Sequence, residues 1–102
     1  MIKVSLMYPY SPDGKFDHEY YKNRHLPLIQ EKMGRSCLKY TIDRGVCGDA
    51  PNTNPLYIAC CHIYSDSIES FYAGFGPHRR EIIADVIHYT NISPQMQISD
   101  VV

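Results

Sequence analysis

Two of the five histidines lie beside prolines, and this spacing makes them the side chains best placed for chemistry. His25 comes two residues before Pro27, and His78 directly follows Pro77. Because proline lacks an amide donor and bends a helix, a neighbouring side chain can meet a ligand or a freed backbone group. We therefore predict His25 and His78 as catalytic acid/base residues. His78 is expected in the first turn of a helix, whose dipole favours the neutral imidazole.

A structural explanation competes with this one at each position. The prolines can simply bend helices to follow a twisted sheet, which would leave both histidines at the rim, bonded to backbone carbonyls. For His78 this explanation is the stronger of the two. His62 falls on a predicted buried strand, where a histidine is more often a hydrogen-bonded core residue than a ligand.

Nine tyrosines are a high number for a chain of 102 residues. Each brings an apolar ring with one polar tip, a lining that suits a small aromatic or ether-like organic compound. We predict that the substrate-binding residues, in a pocket between sheet and helices, are Tyr8, Tyr20, Tyr21, Pro27 and Tyr40. Core packing is the alternative for any one of these tyrosines.

A helix between Asp17 and Gly34 should position His25. Asp17 is the expected N-cap, Phe16 and Tyr21 form a hydrophobic staple, and Gly34 ends the helix. Pro27 should kink this helix near His25 and hold the imidazole at the mouth of the pocket.

The remaining elements follow from hydrophobic periodicity. Alternation predicts strands, and apolar residues spaced by three and four predict helices, the second of them N-capped by Asp66. The predicted order is strand 2–8, helix 17–34, strand 37–47, strand 56–64, helices 66–76 and 77–87, and strand 92–102.

This order predicts an α+β, ferredoxin-like βαββαβ domain with a four-stranded antiparallel sheet and both helices on one face. The third strand is apolar on both sides. We assign its apolar residues on the second face as Leu56, Ile58, Cys60 and Ile63, too many to leave in water. A homodimer packed through this face is the expected result.

Several stretches together resemble the EthD family, named after a protein of ethyl tert-butyl ether degradation. They are the opening 2–9, Phe16-Asp17, the pattern Tyr20-Tyr21-x-x-x-His25-x-Pro27-Leu28, Phe75-Gly76-Pro77-His78 and the closing 92–102. The resemblance implies a ferredoxin-like chain that pairs into a dimeric α+β barrel. Proteins sharing that barrel include cofactor-free monooxygenases, lactone isomerases and haem enzymes, so the fold alone does not choose a reaction.

Composition limits the other function classes. The length fits one domain, 1–102, and a mixed net charge of −1 gives no basic stripe for nucleic acid. Without a signal segment or a long apolar run, we expect a cytoplasmic protein with no membrane contact and with reduced cysteines. Cysteine and histidine spacing does not favour a metal site, and we predict no haem, flavin or other cofactor.

Two functions remain open at this point. One is a small oxidoreductase, or a cofactor-independent oxygenase or isomerase, acting on a small organic compound with His25 as acid/base. The other is a non-catalytic ligand-binding or accessory protein of an oxygenase degradation system. No dinucleotide-binding glycine fingerprint is present, so the word reductase rests only on the family name.

Overall fold

A computed structural model describes all residues 1–102, and its elements alternate as a split βαβ fold requires. The elements are β1 Ile2–Pro9, α1 His18–Tyr20, a π-helical turn Tyr21–His25, α2 Leu26–Met33, a 3-10 turn Gly34–Ser36, β2 Lys39–Arg44, β3 Tyr57–Ser65, α3 Ile68–Phe75, a 3-10 turn Gly76–His78, α4 Arg79–Ala84, a 3-10 turn Val86–His88 and β4 Gln95–Asp100.

The four strands form one antiparallel sheet in the order β2-β3-β1-β4. This arrangement confirms the ferredoxin-like α+β prediction, including the interior position of β3. The outer strands are shorter than predicted. β2 ends at Arg44 and β4 begins at Gln95, directly beside Gly45 and Pro94, residues that weaken or end a strand.

The core lies between one face of the sheet and the helices. Val4 pairs with Ile63, and Leu6 pairs with Cys61, so these side chains share the helix-side face. Val4, Cys61 and Ile63 are fully buried, and α2 contributes Leu26. Burying such a side chain stabilises the fold by about 1.5–3 kcal/mol, so this face anchors the elements that carry the candidate site.

Both predicted signals at the start of the first helix are present. The Asp17 carboxylate accepts the amide of Tyr20 at 3.0 Å, and the Phe16 and Tyr21 rings meet with centroids 5.0 Å apart. Gly34, at φ +58°, ends α2, a conformation that glycine adopts without steric cost.

The predicted N-cap of the second helix is wrong by one residue. Ser67, rather than Asp66, accepts the amide of Ser70 at 3.0 Å. Ser67 has extended backbone geometry, so its hydroxyl points back to the first turn and the helix begins after it.

The second face of the sheet carries fewer apolar side chains than the sequence suggested. Ile63 belongs to the helix-side core, because side chains alternate along a strand, and Leu56 lies outside β3 with 77% of its surface exposed. Ile58 and Cys60 remain on the open face, where Ser5 pairs with His62 and Met7 with Cys60. No helix in the fold combines the length and apolarity needed to cross a membrane.

Candidate functional site

His25 lies in the last position of a π-helical turn. The Leu26 amide donates to the Tyr21 carbonyl, one residue further back than in an α-helix. Pro27 cannot donate to the Asn23 carbonyl, and the wider turn accommodates this missing bond without breaking the helix. The predicted kink is therefore a π turn, and no helix end is freed beside His25.

The turn directs His25 into the protein rather than to a rim, which corrects the predicted location. Only 3% of the residue is exposed, and its ring stacks on Tyr21 at a centroid distance of 5.6 Å and an interplanar angle of 16°. A buried imidazole needs a polar partner, since an unpaired buried donor costs about 1–3 kcal/mol.

Asp85, which follows α4, supplies that partner. Its Oδ2 lies 2.9 Å from His25 Nδ1, and its Oδ1 accepts the Tyr20 hydroxyl at 2.7 Å. The carboxylate thus joins two side chains of the first helix to the second half of the chain. It also fixes the imidazole with its proton on Nδ1, because an ionised carboxylate can only accept.

The charge states of His25 and Asp85 follow from burial and from the two hydrogen bonds that Asp85 accepts from His25 and Tyr20. Burial lowers the pKa of His25, and the nearby Asp85 opposes this only in part. For Asp85, burial raises the pKa, but the hydrogen bonds from Tyr20 and His25 outweigh it and leave the pKa below its usual value. At neutral pH the site holds a carboxylate and a neutral imidazole.

The second ring nitrogen of His25 is left for chemistry. Nε2 makes no hydrogen bond within the protein. A neutral imidazole held by Nδ1, with Nε2 unpaired, has the arrangement of a general base.

An aromatic cluster encloses this imidazole, with Tyr89 at its centre. The Tyr89 ring lies 4.5 Å from that of His25 and 4.9 Å from that of Tyr21, centroid to centroid. Its hydroxyl bonds the Tyr8 hydroxyl at 2.7 Å, and Phe16 packs on the edge of both rings. Burial raises the pKa of Tyr8, Tyr21 and Tyr89, so all three phenols keep their protons.

One polar atom in this cluster has no hydrogen-bond partner. The Tyr21 hydroxyl is buried and unpaired, with the Cys61 thiol as its neighbour. Burial raises the pKa of Cys61 to about 11, which makes it a poor nucleophile. Cys61 therefore acts here as a small core side chain.

A surface cleft of about 730 Å³ adjoins the cluster. The segments 15–17 and 86–93 line it, with Phe16 and Tyr89 among their side chains. His25 and Asp85 are not lining residues of this cleft, whereas Tyr89 lines it and also contacts the His25 ring. This volume is in the range of small-molecule sites.

Comparison with known proteins identifies the family. The EthD domain model matches residues 13–93, a range that contains His25, Asp85 and Tyr89. The chain belongs to the EthD family. No curated protein matches it closely enough to count as a relative.

Solved EthD structures agree with the fold. An EthD-like protein from Ralstonia eutropha JMP134 is 44% identical, with a TM-score of 0.96 over 99% of this chain and 91% of that one. An ethyl tert-butyl ether degradation (EthD) family protein from Bacillus halodurans C-125 is 19% identical, with a TM-score of 0.74 over 100% of this chain and 99% of that one. HapK from Hahella chejuensis shares the fold at 11% identity and a TM-score of 0.66, over 100% and 93% of the two chains.

The EthD fold gathers four of the predicted site residues into one cluster: Tyr8, Tyr20, Tyr21 and His25. His78 takes no part in the hydrogen bonds or ring contacts of this cluster. It ends the 3-10 turn before α4, half-buried. Pro27 acts through the backbone, and Tyr40 lines a different cleft.

Asp85 and Tyr89 were missed by the sequence reasoning. Asp85 is the one acidic residue inside the apolar run 82–87, and Tyr89 follows it by four positions. A lone carboxylate in an apolar run is a signal of a buried partner. That partner lies 60 residues away along the chain, and local patterns do not identify it.

His62 is hydrogen-bonded as expected, but it is half-buried on the open face of the sheet rather than a core residue. The Ser5 hydroxyl pairs with its Nδ1 at 2.7 Å, and Asp43 lies 3.3 Å from its Nε2, all on the open face of the sheet. The residue types are those of a hydrolytic triad, but the amides around Ser5 lie in an interior strand paired on both sides. No free amide pair is therefore available there to hold an oxyanion.

Metal-binding geometry is not found in the fold. The structure brings no three His, Cys, Asp or Glu side chains together as a metal site, and the four cysteines are free thiols.

Proposed function

We propose that this EthD-family protein is a cofactor-independent enzyme that moves a proton on a small aromatic or ether-like organic compound. The reaction would be that of an oxygenase, among the oxidoreductases, or that of an isomerase. The observation that carries the proposal is the pairing of His25 Nδ1 with Asp85 at 2.9 Å while Nε2 has no protein partner.

The proposed chemistry begins with proton abstraction by His25 Nε2. Asp85 keeps the reactive lone pair on Nε2 and stabilises the imidazolium that forms, and Tyr20 holds Asp85 in place. An isomerase would return the same proton to another carbon of the substrate. In an oxygenase, the substrate anion would react with molecular oxygen, which is the oxidant in that case.

The cleft beside Tyr89 is the proposed entry for the substrate. Its apolar side chains Phe16 and Tyr89 suit an aromatic or ether body, and of these two it is Tyr89 that contacts the His25 ring. His25 does not line this cleft, so access to Nε2 from it requires a movement, and we assign that movement to Tyr89, which contacts both the cleft and the His25 ring.

We also propose that the protein works as a homodimer paired through the open sheet face. Ile58 and Cys60 on that face are half-buried within a single chain, and a second sheet would remove them from water. A size measurement at micromolar concentration tests this proposal: the dimer mass is expected, and a monomer at every concentration would refute it.

A non-catalytic ligand-binding role is the second candidate, and burial of the imidazole favours it. His25 is 3% exposed and lines neither large cleft. A protein that only binds would need no access to Nε2, and its His25–Asp85 pair would be a structural bond between the two halves of the chain.

Hydrogen–deuterium exchange separates the two candidates without knowledge of the natural substrate. The protein is incubated in D2O with aryl ketones, phenols and small lactones, and proton NMR follows the loss of signal at acidic carbons, with an oxygen electrode in parallel. Catalysed exchange that is lost in His25→Asn supports the enzyme. The matched control is His62→Asn, which removes the other carboxylate-paired imidazole and should leave exchange intact. Binding with neither exchange nor oxygen uptake would refute the enzyme and support the binding protein.

A further inference from the structure

A second cleft, of about 570 Å³, lies between the first helix and the edge strand β2. It shares no lining residue with the cleft beside Tyr89. Tyr40 and Ile42 form its apolar floor from the helix-side face of β2, and Arg44 continues the same face at the end of the strand.

Positive side chains converge on this cleft. Lys22 and Arg44 line it from opposite sides, and neither takes part in any of the three ion pairs of the chain. His18 lines it one helical turn before Lys22. Burial lowers the pKa of His18, and the charge of Arg44 lowers it further, while Asp17 and Glu19 act in the opposite direction. The effect of Arg44 indicates that its side chain is close to His18.

The cleft has little negative charge of its own. Glu19 is its one acidic lining residue, and the Glu19 carboxylate accepts the side-chain amide of Asn23 at 3.2 Å instead of pairing with Lys22 or Arg44. Asp43 belongs to the other face of the sheet, where it meets His62. Two cations therefore face the cleft without a protein counterion.

The floor determines what kind of anion fits. Tyr40 and Ile42 are half-buried and offer an apolar surface. Tyr40 is not among the tyrosines whose hydroxyls bond within the protein, so its hydroxyl can donate to a ligand. An inorganic anion would satisfy the cations but would leave the apolar floor in water.

We propose that this cleft binds a small organic acid, with its carboxylate between Arg44 and Lys22 and its apolar or aromatic body on Tyr40 and Ile42. Arg44 presents a planar fork that matches a carboxylate in two parallel bonds, and Lys22 adds a point charge. The inference goes beyond the function proposed above and does not depend on proton transfer at His25.

Benzoate is the probe, measured by calorimetry and by amide shifts in NMR. Benzamide is the uncharged control with the same ring, and inorganic phosphate is the anion without an apolar body. We expect benzoate to bind with a Kd of about 1 mM or tighter, and benzamide and phosphate to bind about tenfold more weakly.

Matched variants locate the site. Arg44→Gln and Lys22→Gln should each weaken benzoate about tenfold, and because both residues are exposed, neither change disturbs packing. Arg35→Gln removes the same charge from an exposed residue that lines neither cleft, and should leave the affinity unchanged.

Three results would overturn the proposal. They are no benzoate binding, equal binding of benzamide or phosphate, and benzoate binding that Arg44→Gln leaves unchanged. Because no residue of this test belongs to the His25 cluster, each result is separable from failure of the exchange experiment.

Discussion

Replacing Asp85 by asparagine should separate the charge of this residue from its shape. In the wild type the Asp85 carboxylate accepts from His25 Nδ1 at 2.9 Å and from the Tyr20 hydroxyl at 2.7 Å. Asparagine has the same shape and can still bond both neighbours, since the tyrosine hydroxyl can also accept. The substitution therefore removes the negative charge and little else.

Typical hydrogen-bond energies set the size of the expected effect. A hydrogen bond to a charged group contributes about 1.5–3 kcal/mol and a neutral one about 0.5–1.5 kcal/mol, so two such changes should lower the free energy of unfolding by about 2 kcal/mol. Only 17% of the Asp85 side chain is exposed, so solvent screens little of this. Proton-transfer activity should fall by about 100-fold or more, because the imidazolium loses its counter-charge.

Asp43→Asn is the internal control. Asp43 also meets a histidine, with its Oδ2 at 3.3 Å from His62 Nε2, but its side chain is 68% exposed. Exposed ion pairs contribute about 0–1 kcal/mol, so this change should barely alter stability. Urea unfolding at pH 7 measures both variants, and NMR titration follows the imidazole of His25.

The stabilisation by Asp85 depends on pH. The pKa of Asp85 is below its usual 3.8 in the folded protein, so its stabilisation is present above pH 3.8 and is lost as pH falls further. The difference between wild type and Asp85→Asn should therefore shrink below that pH. The reasoning is refuted if Asp85→Asn costs no more than Asp43→Asn, or if the pKa of His25 is the same with and without the carboxylate.

Three further changes test the same structure. Pro27→Ala restores the amide donor to the Asn23 carbonyl, so the π turn should revert towards an α-helix. The free energy of unfolding should be unchanged or up to about 1 kcal/mol higher, and exchange activity should be lower. A crystal structure that keeps the π turn would contradict this prediction. Because burial holds the pKa of His25 below 6.5, the free energy of unfolding should be highest above pH 6.5 and should decline as pH falls below it. In His25→Asn the decline between pH 7 and 5 should be smaller. An equal decline in both proteins would show that other groups cause it. Gly74→Ala places a methyl group against the Ser36 side chain and 3.2 Å from the Met33 carbonyl. The urea midpoint should therefore fall by an amount equivalent to about 1–3 kcal/mol. The control Gly76→Ala, which has open space around it, should not show this loss.

The order of the elements could be predicted because it depends on local patterns. Alternating and helical periodicities gave the βαββαβ order, and the Asp17 cap and the Phe16–Tyr21 contact follow from rules that span only a few residues. The same rules overstated the apolar second face, since Ile63 and Ile58 differ in parity and lie on opposite sides of the sheet.

The depth of His25 could not be read from the sequence. A proline two residues away predicted a kink with the imidazole at a rim. In the structure, a π turn accommodates Pro27, and the ring enters the core because Asp85 is there to bond it. Whether a histidine near a proline faces inwards depends on a carboxylate contributed by another part of the chain.

Tyr89 explains why the site is a property of the whole fold. Its ring contacts Phe16, Tyr21 and His25 from the first helix region, its hydroxyl bonds Tyr8 on β1, and the residue also lines the cleft. These groups come together only when the segment after α4 packs against the start of the first helix, where Phe16 and Thr90 also form a β-bridge. The contacts that bury His25 are thus the contacts that join the two halves of the domain.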